Sequence, residues 1–389
     1  MSLRSSPGLA PLLARVTSLS SISLAALVFA ACSSVVTGTE TPSDGGSPPT
    51  TSTADSGPPD DAFCTARDTT LASLVASLRK SPVLAVAVTD ARCKTRVAIA
   101  AEGDAPEKEA LFRVGSVTKT YVAATVLTLA HEGKLSLTDP VSTYVEGFPV
   151  LERVTLDQLL HHTSGLFNFT EDPTFPSLRK TARTPRQIVE AALAKPVYFE
   201  PGKGFHYSNT NYTLLGMVIE KASGERLSAA VRSRSHGKLG LTRTFLDGEE
   251  ALPEPLVPGF DTKGRDVTQA EHPSEPWAAG AMVASIGDVS RFHFALFGGG
   301  LLDPSAQEAL TRDAVDTGTF GTKYGAAAFL ISGSVALGPA IGHGGDIEGF
   351  HTESLYFTER KTSVSAVVNA DGADPGAAVL AVAQALLVP

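Results

Sequence analysis

Strand-like and helix-like patterns are segregated along this chain, and that arrangement limits its fold more than any other feature. An amphipathic helix is predicted over Asp68 to Lys80, with Leu71, Leu74, Val75 and Leu78 at helical spacing. A hairpin follows: the apolar run Val83 to Thr89, a turn at Asp90-Ala91-Arg92, and a second strand over Thr95 to Ala100. Strand patterns then disappear until Tyr324 to Ser332, Ser354 to Thr358 and Ser363 to Val368, before a closing helix over Gly376 to Leu387. Between these ends the pattern is mainly helical: Ser116 to Glu132 with Gly133 as a stop, Thr155 to His161, and a segment opened by Thr184-Pro185-Arg186-Gln187. Leu214 to Ala222, Ser285 to Phe297 and Pro304 to Leu310 complete this set. The expected class is therefore α+β: an antiparallel sheet built from both chain ends, flanked by helices, with a mainly helical region inserted.

The first 62 residues do not fit such a body. Arg4 and Arg15 precede the apolar run Ile22 to Ala31, which is short for a membrane span and ends in small residues before Cys32. This reads as an export leader over residues 1–31. Val28-Phe29-Ala30-Ala31-Cys32 resembles a bacterial lipoprotein processing signal, with Phe29 a departure from it, which implies lipidation of Cys32; cleavage after Ala31 without modification is the alternative. Residues 32–62, rich in Ser, Thr, Gly, Pro and Asp, lack the apolar area that offsets chain ordering and read as a tether. The folded domain is expected over residues 63–389, on the periplasmic or cell-surface side of a membrane.

Two further cysteines, Cys64 and Cys93, are compatible with one disulfide in an exported chain, or with two separate thiols. Neither has metal-ligand spacing, and no metal or cofactor is expected. The net charge of −9 is spread along the chain without a strong basic cluster, which argues against nucleic-acid binding. A monomer is expected.

Three short motifs carry chemistry. In Ser116-Val117-Thr118-Lys119, one helical turn brings the amine to the hydroxyl, and a desolvated lysine can take the serine proton. Tyr207-Ser208-Asn209 supplies a proton relay and an amide that orients Lys119 or binds substrate; its spacing predicts a loop before the next helix. His343-Gly344-Gly345 is expected on an edge strand beside the nucleophile, where His343 holds a substrate carboxylate or a proton network. The backbone N–H groups of Ser116 and Asp346 would form the oxyanion hole.

Phe112-Arg113-Val114-Gly115-Ser116-Val117-Thr118-Lys119, then Tyr207-Ser208-Asn209, then His343-Gly344-Gly345 resembles the serine β-lactamase-like superfamily, in its class C β-lactamase, D-alanyl-D-alanine carboxypeptidase and esterase branch. His161-His162-Thr163-Ser164-Gly165-Leu166, Ala279-Gly280 and Gly349-Phe350 extend the likeness. The resemblance implies a β-lactamase/transpeptidase-like fold, Ser116 as nucleophile, Lys119 as base and Tyr207 as the catalytic tyrosine. It implies substrate contacts at Asn209, His343, Gly344 and Gly345, and a D-alanyl-D-alanine carboxypeptidase-like activity on a peptide of cell-wall type. A β-lactamase, an esterase or a penicillin-binding sensor is the alternative. His343 stands where class C β-lactamases usually carry lysine, and Asp346 disfavours an anionic substrate.

Overall fold

The structure, a computed structural model, describes residues 61–254 and 256–388; the expected leader, Cys32 and nearly all of the tether lie outside the described residues. In chain order the elements are α1 (Asp61–Leu78), β1 (Val83–Asp90), β2 (Lys94–Ala101), β3 (Phe112–Arg113), α2 (Thr118–His131), α3 (Leu156–Leu160), α4 (Phe175–Leu178) and α5 (Pro185–Leu193). They continue with α6 (Asn209–Ser223), α7 (Leu227–Arg234), β4 (Thr244–Leu246), α8 (Trp277–Gly280), β5 (Met282–Ala284), α9 (Ile286–Gly298) and α10 (Pro304–Ala309). The final run is β6 (Val315–Asp316), β7 (Thr322–Tyr324), β8 (Phe329–Ser334), β9 (Gly338–Ile347), β10 (Phe350–Phe357), β11 (Thr362–Val368) and α11 (Pro375–Leu387).

The main sheet runs β2-β1-β11-β10-β9-β8-β7-β6, with every neighbouring pair antiparallel. The α+β architecture, with both chain ends meeting at β1–β11, is as expected. All seven residues of β11 are buried because helices cover both faces: α11 on one, α9 on the other. A small sheet, β3-β5-β4, lies in the helical region.

Local signals account for several boundaries. The Thr184 hydroxyl accepts from Gln187 N–H while the Gln187 side chain returns to Thr184, a capping box that starts α5 with Pro185 in its first turn. Gly224 ends α6 in the left-handed conformation at φ 74°. Ser285 caps α9 by accepting from Asp288 N–H.

Cys64 and Cys93 are disulfide-bonded, joining α1 to the β1–β2 turn across a separation of 29 residues. A loop of that length stabilises the fold by roughly 3.6 kcal/mol in the chain-entropy account. Arg67 reinforces the junction with an ion pair to Asp90 at 3.0 Å.

Three expectations about elements need correction. The strand expected over Tyr324 to Ser332 is two, because the chain turns at Gly325 to Ala328 and β7 pairs back on β8. Asn209 is the first residue of α6 rather than part of a loop, with Ser208 in an extended conformation before it. His343 is not on an edge strand of the sheet, since β9 lies between β10 and β8. Pairing with β8 nevertheless ends at Phe329 opposite Gly342, so β9 from His343 onward has an open edge, and that edge faces the turn carrying Ser116.

Candidate active site

Ser116 sits in a 3-10 turn, Gly115–Val117, that leads directly into α2. The preceding residues explain its fixed position. Phe112 belongs to the core, and buried Arg113 pairs with Asp247 at 2.7 Å. Val114 N–H donates to Met282 O at 3.1 Å, and the Thr118 hydroxyl donates to Gly115 O at 2.6 Å. Gly115 has φ +51°, and a Cβ there would meet Asp346 N at 2.8 Å. A Cβ on Gly345 would lie 2.0 Å from Val114 O and 3.0 Å from Ser116 N. Both glycines are therefore required by the close approach of the Ser116 turn to β9.

Lys119 is fully buried, and its amine nitrogen lies 2.9 Å from Ser116 Oγ, 2.8 Å from Asn209 Oδ1 and 2.7 Å from Ala279 O. Burial lowers its pKa well below the ordinary lysine value. A neutral amine has two N–H groups and one lone pair. The two carbonyl oxygens accept the N–H groups, which leaves the lone pair for the Ser116 hydroxyl proton. This is the arrangement of a serine held against its base.

Asn209 is occupied at both ends of its amide. Oδ1 accepts from Lys119, and Nδ2 donates to Thr170 Oγ1 at 3.1 Å. Its Oδ1 orients Lys119, and Nδ2 carries a second N–H beyond the one given to Thr170, so a substrate contact remains compatible with this geometry. Tyr207 is half-buried, with its hydroxyl shielded from solvent, directed at Ser116 and without a hydrogen bond of good geometry. Burial, tempered by Ser116 and reinforced by the charge of Asp346, raises its pKa far above the ordinary phenol value. It is a neutral phenol, suited to carry a proton rather than to act as a phenolate base.

His343 is fixed at both ring nitrogens. Its Nδ1 lies 2.5 Å from Gly344 O, which can only accept, so Nδ1 carries the proton and Nε2 accepts from the Tyr324 hydroxyl at 3.1 Å. Burial lowers its pKa to about 3. A neutral, buried imidazole with both nitrogens occupied cannot hold a carboxylate as a cation. Gly344 leaves room above the strand, and a Cβ there would meet the Glu353 carboxylate at 3.0 Å.

The oxyanion geometry follows from hairpin register. Ile347 and Phe350 close a two-residue turn, so they are a hydrogen-bonded pair, and the next pair, Asp346 and His351, is not. The Asp346 N–H therefore points away from β10, toward the Ser116 turn.

Several supporting residues carried no assigned role in the sequence. His162, at φ +56°, accepts Ser208 N–H on Nδ1 at 3.0 Å and places its ring 4.2 Å from that of Tyr207. The Asn168 side chain accepts Asn209 N–H at 3.0 Å, and Tyr324 fixes His343. His162 and Ala279 lie in segments that the family resemblance had marked; Asn168 and Tyr324 had no signal of their own.

The family model described as Beta-lactamase matches residues 71–388. The chain belongs to the β-lactamase family. It is a serine hydrolase of the superfamily that includes penicillin-binding proteins and transpeptidases. A D-stereospecific amidohydrolase from Streptomyces is similar at 32% identity with a TM-score of 0.70, covering 81% of this chain and 97% of that one. "Putative penicillin-binding protein PbpX" of Bacillus subtilis strain 168 is 31% identical over 202 residues, 51% of this chain and 49% of the relative. "Putative D-alanyl-D-alanine carboxypeptidase" of Escherichia coli K12 is 30% identical over 163 residues, 39% of this chain and 35% of the relative. The chain thus spans about half or less of the length of these curated relatives.

Proposed function

We propose that this β-lactamase-family hydrolase cleaves amides of D-configured amino acids or short peptides through an acyl-enzyme on Ser116. Lys119 takes the Ser116 proton as Oγ attacks the carbonyl carbon, and the oxyanion forms against the N–H groups of Ser116 and Asp346. Tyr207 passes its proton to the departing amine and takes the one held by Lys119; water, losing a proton to the neutral Lys119, then attacks the ester, and that proton returns to the Ser116 oxygen as the acid leaves.

The observation that carries the amide reading is the wall beside the nucleophile. His343 is neutral and buried, while the side chains on the opposite face of the β9–β10 hairpin include Asp346 and Glu353. With no cation offered by His343, and with Asp346 already paired to His351, this wall gives a substrate carboxylate no counter-charge and tolerates a neutral amide. The D-configuration rests on likeness to the Streptomyces amidohydrolase. A D-alanyl-D-alanine carboxypeptidase, favoured by likeness to the Escherichia coli relative, is the second reading. Purified protein should turn over D-phenylalanine amide with kcat/KM at least about tenfold above that for an N-acyl-D-Ala-D-Ala peptide, equivalent to about 1.4 kcal/mol. A preference for the carboxylate-bearing peptide reverses the assignment, and rapid turnover of a chromogenic cephalosporin alone points to a β-lactamase.

We further propose that the protein is exported and tethered through Cys32. The Cys64–Cys93 disulfide supports an oxidising compartment. In cell fractionation of a bacterial host, the chain should partition with membranes and Cys32→Ser with the soluble fraction; identical partitioning of the two removes the anchor.

A further inference from the structure

Asp346 is the least supported residue of the proposed oxyanion hole. Its backbone makes no ladder hydrogen bond to β10, β8 has already ended, and two glycines, Gly344 and Gly345, precede it. Its side chain, however, is tied down. Asp346 Oδ1 lies 2.5 Å from His351 Nδ1, and His351 Nε2 lies 3.2 Å from Asp371 Oδ1. Asp371 is fixed in turn by accepting Gly349 N–H at 2.8 Å and by donating its own N–H to Phe260 O at 2.8 Å. The chain of contacts runs from the loop after β11, through one imidazole, to the residue whose N–H faces Ser116.

We propose that His351 is a positioning residue for the reaction: bridging Asp371 and Asp346 as an imidazolium, it holds the Asp346 N–H at the oxyanion. This inference rests on the Ser116 acyl-enzyme reading. Carboxylates only accept, so both contacts require both ring nitrogens to donate, and only the protonated ring does so. Burial opposes that charge, but the Asp346 hydrogen bond and the charges of Asp346 and Asp371 outweigh it and raise the His351 pKa. Deprotonation at alkaline pH removes one donor and frees one end of the bridge. Activity therefore acquires an alkaline limb, opposite in sense to the acid limb set by Lys119, which must be neutral to act.

Other charged groups face the same space. Glu353 lies on the same face of β10, with its pKa raised to about 8 by burial and by Asp346 and Asp374. Glu348, in the hairpin turn, is paired with Arg179 at 2.7 Å. The limb belongs to His351, so Glu353→Gln retains it.

The test follows hydrolysis of p-nitrophenyl butyrate against pH, because its leaving group needs no proton from Tyr207. His351→Gln should lower kcat about tenfold with KM within about twofold of wild type, and abolish the alkaline limb. Asp371→Asn, which keeps an acceptor but removes a charge, should shift that limb to lower pH by about one unit. Melting temperatures of the variants separate loss of fold from loss of positioning; if His351→Gln does not fold, the Asp371→Asn shift decides. Wild-type profiles for both variants alongside an inactive Ser116→Ala overturn the role of His351 and leave the nucleophile standing. An alkaline limb that survives in His351→Gln and vanishes in Glu353→Gln also overturns it. Retained activity in Ser116→Ala refutes the underlying reading instead.

Discussion

Replacing Ser116 with alanine should reduce amide and ester turnover by on the order of 10⁴-fold or more and abolish covalent labelling by a fluorescent penicillin. The expectation follows from the isolation of this hydroxyl. It is the nucleophile candidate within reach of a buried amine, 2.9 Å away, in a turn pressed against the open edge of β9. The substitution removes one oxygen and leaves the core residues Phe112, Val114 and Val117 untouched, so the melting temperature should stay close to wild type. Intact-protein mass spectrometry after labelling checks the assignment, and an adduct that persists at another residue would overturn it.

Lys119→Met should lower kcat by roughly 10³-fold while leaving the protein as stable as wild type or more so. The two effects have opposite signs because the buried amine costs stability. Its folded pKa is depressed by burial, so between that value and the ordinary lysine range the unfolded chain binds the extra proton. Stability therefore rises with pH across this interval, and the cost is greatest at its acid end. Methionine fills the same space without that cost, although Asn209 Oδ1 and Ala279 O lose a donor. Denaturant unfolding of both proteins at several pH values measures the difference. In the wild type, activity should also fall as pH drops through the Lys119 pKa. Equal activity in wild type and Lys119→Met would remove the lysine as base.

The legibility of this site varied with how local each cause was. Ser116 and Lys119 were readable together because a single helical turn brings them within reach, and that spacing is written in four residues. Gly115 and Gly345 were readable as motif glycines, but their reason was not. Each is required by the other's neighbourhood, across 230 positions of chain, where backbone meets backbone. His343 was read as holding either a substrate carboxylate or a proton network, and its neighbours in sequence do not choose between them. Tyr324 and the Gly344 carbonyl, together with burial, make it neutral, and no short-range pattern specified that Tyr324 would lie against it.

The strand errors have the same origin. The run from Tyr324 to Ser332 has a continuous strand composition, yet the chain folds back within it because β7 and β8 gain cross-strand partners by doing so. His351 carried no sequence signal; its position opposite Asp346 is a consequence of hairpin register, and its second partner comes from the loop after β11.

Local order along the chain determined the class of fold, the capped helices and the pairing of Ser116 with Lys119, because hydrophobic period, capping and a one-turn spacing act over a few residues. Tertiary structure alone decided the charge state of Lys119 and His343, the direction of the Asp346 N–H and the bridge through His351. Those properties depend on burial and on partners brought together from distant segments, and desolvation is a property of the packed molecule rather than of any stretch of its chain.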